Sequence, residues 1–205
     1  MTNCLFFGDS IIYGEYDGIF GGWVDLLKRY YHKEFRENGK EVNVFNLGIG
    51  GETTEGLLKR VVAEANSRKS PLKNLLFISY GANDLAIIEG RQVVPAIQFK
   101  ENLEKAIVQA KDITGHLFLV SILPVSEKID GITVASGKLR TNENVNAYNA
   151  IISEVASETN AEYIDLYSMF FEDKEDLISP DGVHPNEKGY ELISEFVKPL
   201  INRSL

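Results

Sequence analysis

The chain has one cysteine among its 205 residues, so it has no intramolecular disulfide and is not a small disulfide-stapled scaffold. That residue, Cys4, lies in an apolar run and reads as a small core side chain, compatible with a reducing compartment. Histidine is scarce as well: His32, His116 and His184 are the three available imidazoles. Positive charge is in deficit, with 21 Lys and Arg against 30 Asp and Glu and a net charge of −9. No segment carries a run of four or more basic residues. Nucleic acid and anionic membrane surfaces, which attract basic patches, are therefore not expected as partners. The longest apolar stretch, Leu117 to Leu123, is interrupted by Ser121 and falls far short of the ~20 residues that span a bilayer. Cys4 to Phe7 is too short for the core of a signal peptide and has no basic flank, so a cytoplasmic location is expected. The 17 glycines show no period of three, which excludes a collagen-like chain.

What remains is the composition of a globular protein, 44% apolar and 25% charged. This length predicts one domain over residues 1–205, burying roughly 70% of its unfolded surface. Short apolar runs alternate with longer helical patterns. Strands are read at Cys4–Phe7, Val42–Phe45, Leu75–Ile78, Leu117–Ser121 and Tyr163–Asp165. Between them, apolar residues recur at helical spacing, as in Trp23, Leu26, Leu27, Tyr30 and Tyr31. Further helices are read around Leu57–Ala65 and Phe99–Ala110, over Asn142–Thr159, and over Glu187–Asn202. The strands are continuous apolar runs, which suits burial on both faces of a parallel sheet. The class is α/β. Ile87–Pro95, Leu123–Arg140 and Leu166–Pro185 read as irregular, and long loops in such folds line the site at the carboxyl ends of the strands.

The chemistry is sought there. Gly8-Asp9-Ser10 follows the first strand, Asn46 through Thr53 the second, and Tyr80 through Asp84 the third. Asp181-Gly182-Val183-His184-Pro185 precedes the last helix. Ser10 is a candidate nucleophile that needs a base. His184 is the best candidate base, because Asp181 stands three positions before it across a glycine turn and can hold its Nδ1–H. An acyl-transfer intermediate also needs donors aimed at its oxyanion. The Gly51 N–H, the Asn83 side-chain amide and the N–H of Ser10 itself are candidates. Each piece alone has a plainer reading: a turn at Gly8-Asp9-Ser10, a turn-forming Asn83, a cap plus surface histidine at Asp181 and His184. The four pieces in order after successive strands make the stronger pattern.

Taken together, Phe7-Gly8-Asp9-Ser10, Asn46 through Gly51, Gly81-Ala82-Asn83-Asp84 and Asp181 through Pro185 resemble the four signatures of the SGNH (GDSL-type) hydrolases. The resemblance runs from Phe7 to Pro185. It implies a flavodoxin-like three-layer α/β/α sandwich with a five-stranded parallel sheet. It also implies a serine esterase or acylhydrolase with no metal and no cofactor, acting on a small-molecule ester. By position, Ser10 would be nucleophile, His184 base and Asp181 its orienting partner, with Ser10, Gly51 and Asn83 as oxyanion hole. The run Ser10-Ile11-Ile12 departs mildly from many members without touching the nucleophile. The expected substrate is a short acyl or acetyl ester of a small soluble molecule or sugar. A lysophospholipid or a thioester is the alternative within the family.

Other readings stay open at this level. Gly48-x-Gly50 between strand and helix could hold a phosphate, but a dinucleotide fingerprint would need glycine at Thr53, and no P-loop motif occurs. The elbow G-x-S-x-G of the α/β-hydrolases is also missing. A non-catalytic binding protein on the same fold would need a lost site residue, and none is lost. Asp9 and Asp84 read as loop anchors, Trp23 as core, and His32 and His116 as surface. Nothing in the sequence sets an oligomeric state.

Overall fold

The computed structural model describes residues 1–205. Five strands, β1 (Thr2–Gly8), β2 (Val42–Gly48), β3 (Lys73–Ser79), β6 (His116–Val120) and β7 (Glu162–Ile164), form one sheet in the order β2-β1-β3-β6-β7. Every pairing in it is parallel. The chain moves outward from β1 to β2, then returns to the other side of β1 with β3. That reversal opens a crevice beyond the carboxyl ends of β1 and β3, where open α/β sheets hold their ligands.

Two apolar layers sandwich the sheet, because successive strand residues face opposite sides. Leu5, Phe7, Leu76, Ile78, Leu117 and Leu119 face one core, shared with α3 (Thr54–Arg68), α4 (Ala96–Ala110) and α5 (Asn142–Thr159). Cys4, Phe6, Leu75, Phe77, Phe118 and Val120 face the other, shared with α2 (Trp23–Asn38) and α8 (Glu187–Arg203). Both residue sets are buried, so the strands read as unbroken apolar runs. The parallel register stacks Phe6, Phe77 and Phe118 across the sheet, with ring centroids 4.3 and 4.4 Å apart. This is the predicted three-layer flavodoxin-like sandwich. Trp23 is buried in the second core, and His32 and His116 are exposed.

The loops are more ordered than their composition suggests. Ser10–Tyr13 forms a short helix, α1, directly after β1. Ile87–Ile88 (β4) and Arg91–Gln92 (β5) pair as a small antiparallel hairpin. The stretch Leu166–Pro185, read as irregular, carries α6 (Leu166–Phe171) and α7 (Lys174–Leu177). Asp165, read as the end of the fifth strand, instead caps α6 by accepting the Ser168 N–H at 3.0 Å. Helices this short have too few turns to show a periodic apolar face, which is why the pattern missed them. No helix is long and apolar enough to cross a membrane.

Candidate active site

Ser10 opens α1 at the end of β1. Asp9 caps that helix by accepting the Ile11 N–H at 3.0 Å, which fixes the turn presenting the serine. The turn lies tight on the sheet: a Cβ on Gly8 would fall 2.7 Å from the Ser79 carbonyl oxygen. Burial pushes the Asp9 carboxyl up to about 6, opposed by the Ile11 N–H and the charge of His184.

His184 reaches the same point from the loop before α8. Its Nε2 lies 2.7 Å from Ser10 Oγ, and its Nδ1 lies 2.5 Å from Asp181 Oδ2. Asp181 Oδ1 accepts the backbone N–H groups of Val183 and His184, each at 3.1 Å, so one carboxylate shapes the turn and holds the ring. Burial by itself would raise the Asp181 carboxyl. The imidazole and the two backbone donors outweigh burial and hold it below the usual carboxylate range. The loop continues into α8, capped by Asn186 Oδ1 accepting the Gly189 N–H at 3.1 Å.

The loop after β2 brings up Gly51 at φ +76°, a conformation that favours glycine, with open space where a Cβ would stand. This loop is anchored beneath the site. Arg60 forks onto Glu52 with nitrogen–oxygen distances of 2.5 to 3.0 Å, and Tyr80 donates to Glu52 Oε2 at 2.6 Å. Asp84 ties the third loop to the second, because its Oδ1 accepts the Thr54 N–H at 2.9 Å and the Thr54 hydroxyl at 2.5 Å. Asn83 Nδ2 donates to the Glu52 carbonyl at 3.2 Å. Ser10, Gly51, Asn83, Asp181 and His184 all line one cavity of about 460 Å³. The structure thus brings every candidate site residue to one place, at the crevice between β1 and β3.

A serine hydroxyl on an imidazole on a carboxylate, beside a glycine loop and an amide, can perform acyl transfer. The sequence model of the GDSL-like lipase/acylhydrolase family matches residues 6–192. The chain belongs to that family.

Members and neighbours agree with it. The chain is 28% identical over 218 residues to the isoamyl acetate-hydrolyzing esterase 1 homolog of Bos taurus, covering 98% of this chain and 82% of that protein. It is 26% identical over 202 residues to a GDSL esterase/lipase of Arabidopsis thaliana, covering 90% and 79%. Among solved structures, a lipase/acylhydrolase from Enterococcus faecalis superposes with a TM-score of 0.78 at 26% identity, over 100% and 97% of the two chains. An acetylxylan esterase from Geobacillus stearothermophilus shares the fold, with a TM-score of 0.71 at 22% identity over 96% and 92%. The protein is an ester-hydrolysing enzyme of the GDSL type.

Among the cavity residues of this GDSL enzyme that escaped sequence reasoning are Glu15, Tyr16, Lys138 and Arg140. Glu15 Oε2 lies 3.9 Å from His184 Nε2, and the Tyr16 ring lies 5.0 Å from the imidazole with its backbone at φ +70°. Both follow Ser10 closely in the chain, the one signal that could have found them. Lys138 and Arg140 come from Leu123–Arg140, whose side-chain directions depend on a bridge to the β4–β5 hairpin. Leu139 pairs with Ile87 through two backbone hydrogen bonds of 2.8 and 2.9 Å.

Proposed function

We propose that the protein is a serine esterase that cleaves a short-acyl carboxylic ester through a Ser10–His184–Asp181 triad and an acyl-enzyme, with residues 1–205 acting as one hydrolase domain. The observation carrying this reading is the hydrogen-bonded chain from Ser10 Oγ through His184 to Asp181, at 2.7 and 2.5 Å, opening into the cavity. Ser10 Oγ forms a bond to the acyl carbon while its proton passes to His184 Nε2. The carbonyl electron pair moves onto oxygen and rests on the N–H groups of Ser10 and Gly51 and on Asn83 Nδ2. Collapse breaks the bond to the alcohol, which leaves with the proton from His184. Water then attacks the acyl-enzyme with His184 again as base, releasing the acid and freeing Ser10. Asp181 stays ionised throughout, holding the ring and balancing the imidazolium.

The cavity and kinship support this substrate class. A space of about 460 Å³ with Ser10, Glu15, Asn83, Ser136, Lys138 and Arg140 in its lining suits a small polar ester better than a long acyl chain. Relatives named for an acetate ester favour a short acyl group. The test is hydrolysis of 4-nitrophenyl esters from acetate to palmitate by wild type and Ser10→Ala. Turnover that peaks at acetate or butyrate and drops to background in Ser10→Ala is expected. A peak at palmitate moves the assignment to lipids, and a variant as fast as wild type removes Ser10 as the nucleophile.

A further inference from the structure

We propose that Lys138 and Arg140 form a cationic clamp that fixes and polarises the side-chain amide of Asn83, which makes both of them positioning residues for the oxyanion hole. The inference rests on the reading of Asn83 as an oxyanion donor given above and adds what sets that donor's direction and strength.

Asparagine is a two-faced group. Its oxygen accepts and its nitrogen donates, and a flip of the terminal amide exchanges them. An oxyanion hole needs the nitrogen side. Lys138 Nζ donates to Asn83 Oδ1 at 3.0 Å, and Arg140 Nη2 approaches the same oxygen at 3.4 Å. Lysine and arginine carry donors and no acceptor, so the flipped amide would set its NH2 against two cations. The clamp therefore holds the oxygen on its own side and the NH2 on the other. One hydrogen of that NH2 goes to the Glu52 carbonyl at 3.2 Å, and the second is left for a ligand in the cavity.

The clamp is itself built in. Arg140 is 7% exposed, and its Nε donates to the Ala82 carbonyl at 2.8 Å, one residue before Asn83. Lys138 and Arg140 flank Leu139, whose pairing to Ile87 sets the strand-like alternation that sends both basic side chains the same way. Neither cation has a carboxylate within 4.0 Å. Asp9 acts on both cations, and Asp181 on Arg140, through charge at longer range, and Asn83 Oδ1 is the side-chain acceptor that both cations reach. Hydrogen bonds from a charged donor are about twice as strong as neutral ones, and donors in series polarise one another. Positive charge behind Asn83 Oδ1 makes its N–H a stronger donor when an oxyanion develops.

The test is a double-mutant cycle in 4-nitrophenyl acetate hydrolysis with wild type, Lys138→Met, Asn83→Ala and the double variant, plus Lys138→Arg. Lys138 is half-buried on a loop, and thermal melts verify that each variant is folded. Lys138→Met should lower kcat about 10- to 100-fold with KM nearly unchanged, the loss of one charge-assisted hydrogen bond. In the Asn83→Ala background the same substitution should cost less than about 2-fold, because its target is gone. Lys138→Arg should restore most of kcat. A loss that persists undiminished beside Asn83→Ala, or that falls on KM alone, means that the ammonium touches the substrate itself, and it overturns the clamp. Asn83→Ala at wild-type speed overturns the oxyanion reading and the clamp with it. A Lys138→Met enzyme at wild-type kcat overturns the clamp alone.

Discussion

Asp84 offers a measurement of how the site loops are tied together. Its side chain is 0% exposed, with Oδ1 holding both donors of Thr54 and Oδ2 without a hydrogen-bond partner. Burial pushes its carboxyl from 3.8 up to about 6, and the two Thr54 donors offset only part of that. The folded carboxyl therefore holds its proton more tightly than the unfolded one. Between pH 4 and 6 folding takes up a proton, so this group's contribution is full below pH 4, falls as pH rises through the window, and is flat above it. At about 1.36 kcal/mol per pH unit, ionised Asp84 costs the fold about 3 kcal/mol relative to its protonated form. Asp84→Asn keeps an acceptor for Thr54 and never ionises. Its amide nitrogen would face the same unpartnered spot as Oδ2, a penalty independent of pH. Urea unfolding of wild type and Asp84→Asn at several values from pH 4 to pH 7.5 isolates the difference. The variant should gain about 2.4 kcal/mol on wild type between pH 4 and 7, then run parallel to it. A stability difference that stays constant from pH 4 to 7.5 would refute the argument that burial raises this carboxyl.

Other consequences are as direct. Asp181→Asn keeps the shape of the turn but removes the charge on His184 Nδ1. It should lower kcat by about 10³- to 10⁴-fold with little effect on melting temperature, and a loss below about 10-fold in steady-state kinetics would remove Asp181 from its proposed role. Asn83→Ala, the reference variant of the cycle above, should lose about 10²- to 10³-fold in kcat. Phe77→Ala removes the middle ring of the three-ring stack in the second core and should cost about 3–5 kcal/mol in chemical unfolding; a cost under about 1 kcal/mol would mean that the core closes around the gap.

The strands were legible because a parallel sheet covered on both faces leaves no polar alternation to confuse them, and Cys4–Phe7 and Leu75–Ile78 carry that signal plainly. Their ends were not. β1 reaches back to Thr2 and β2 runs on to Gly48, because ladder hydrogen bonds from neighbouring strands, absent from a linear pattern, decide where pairing stops. The candidate site was legible for a chemical reason. Ser10, Gly51, Asn83, Asp181 and His184 each stand at a strand end or before a helix, and the Asp181–His184 spacing already lets one carboxylate serve turn and ring. What the sequence determined by itself is therefore the layer order and the identity of the groups that can do acyl transfer. The tertiary structure decided which way those groups face. Lys138 and Arg140 are two basic residues in an irregular stretch until Leu139 pairs with Ile87, and that non-local contact turns both onto Asn83. Side-chain direction in a loop is set by long-range hydrogen bonds rather than by local periodicity, so only the folded chain holds that information.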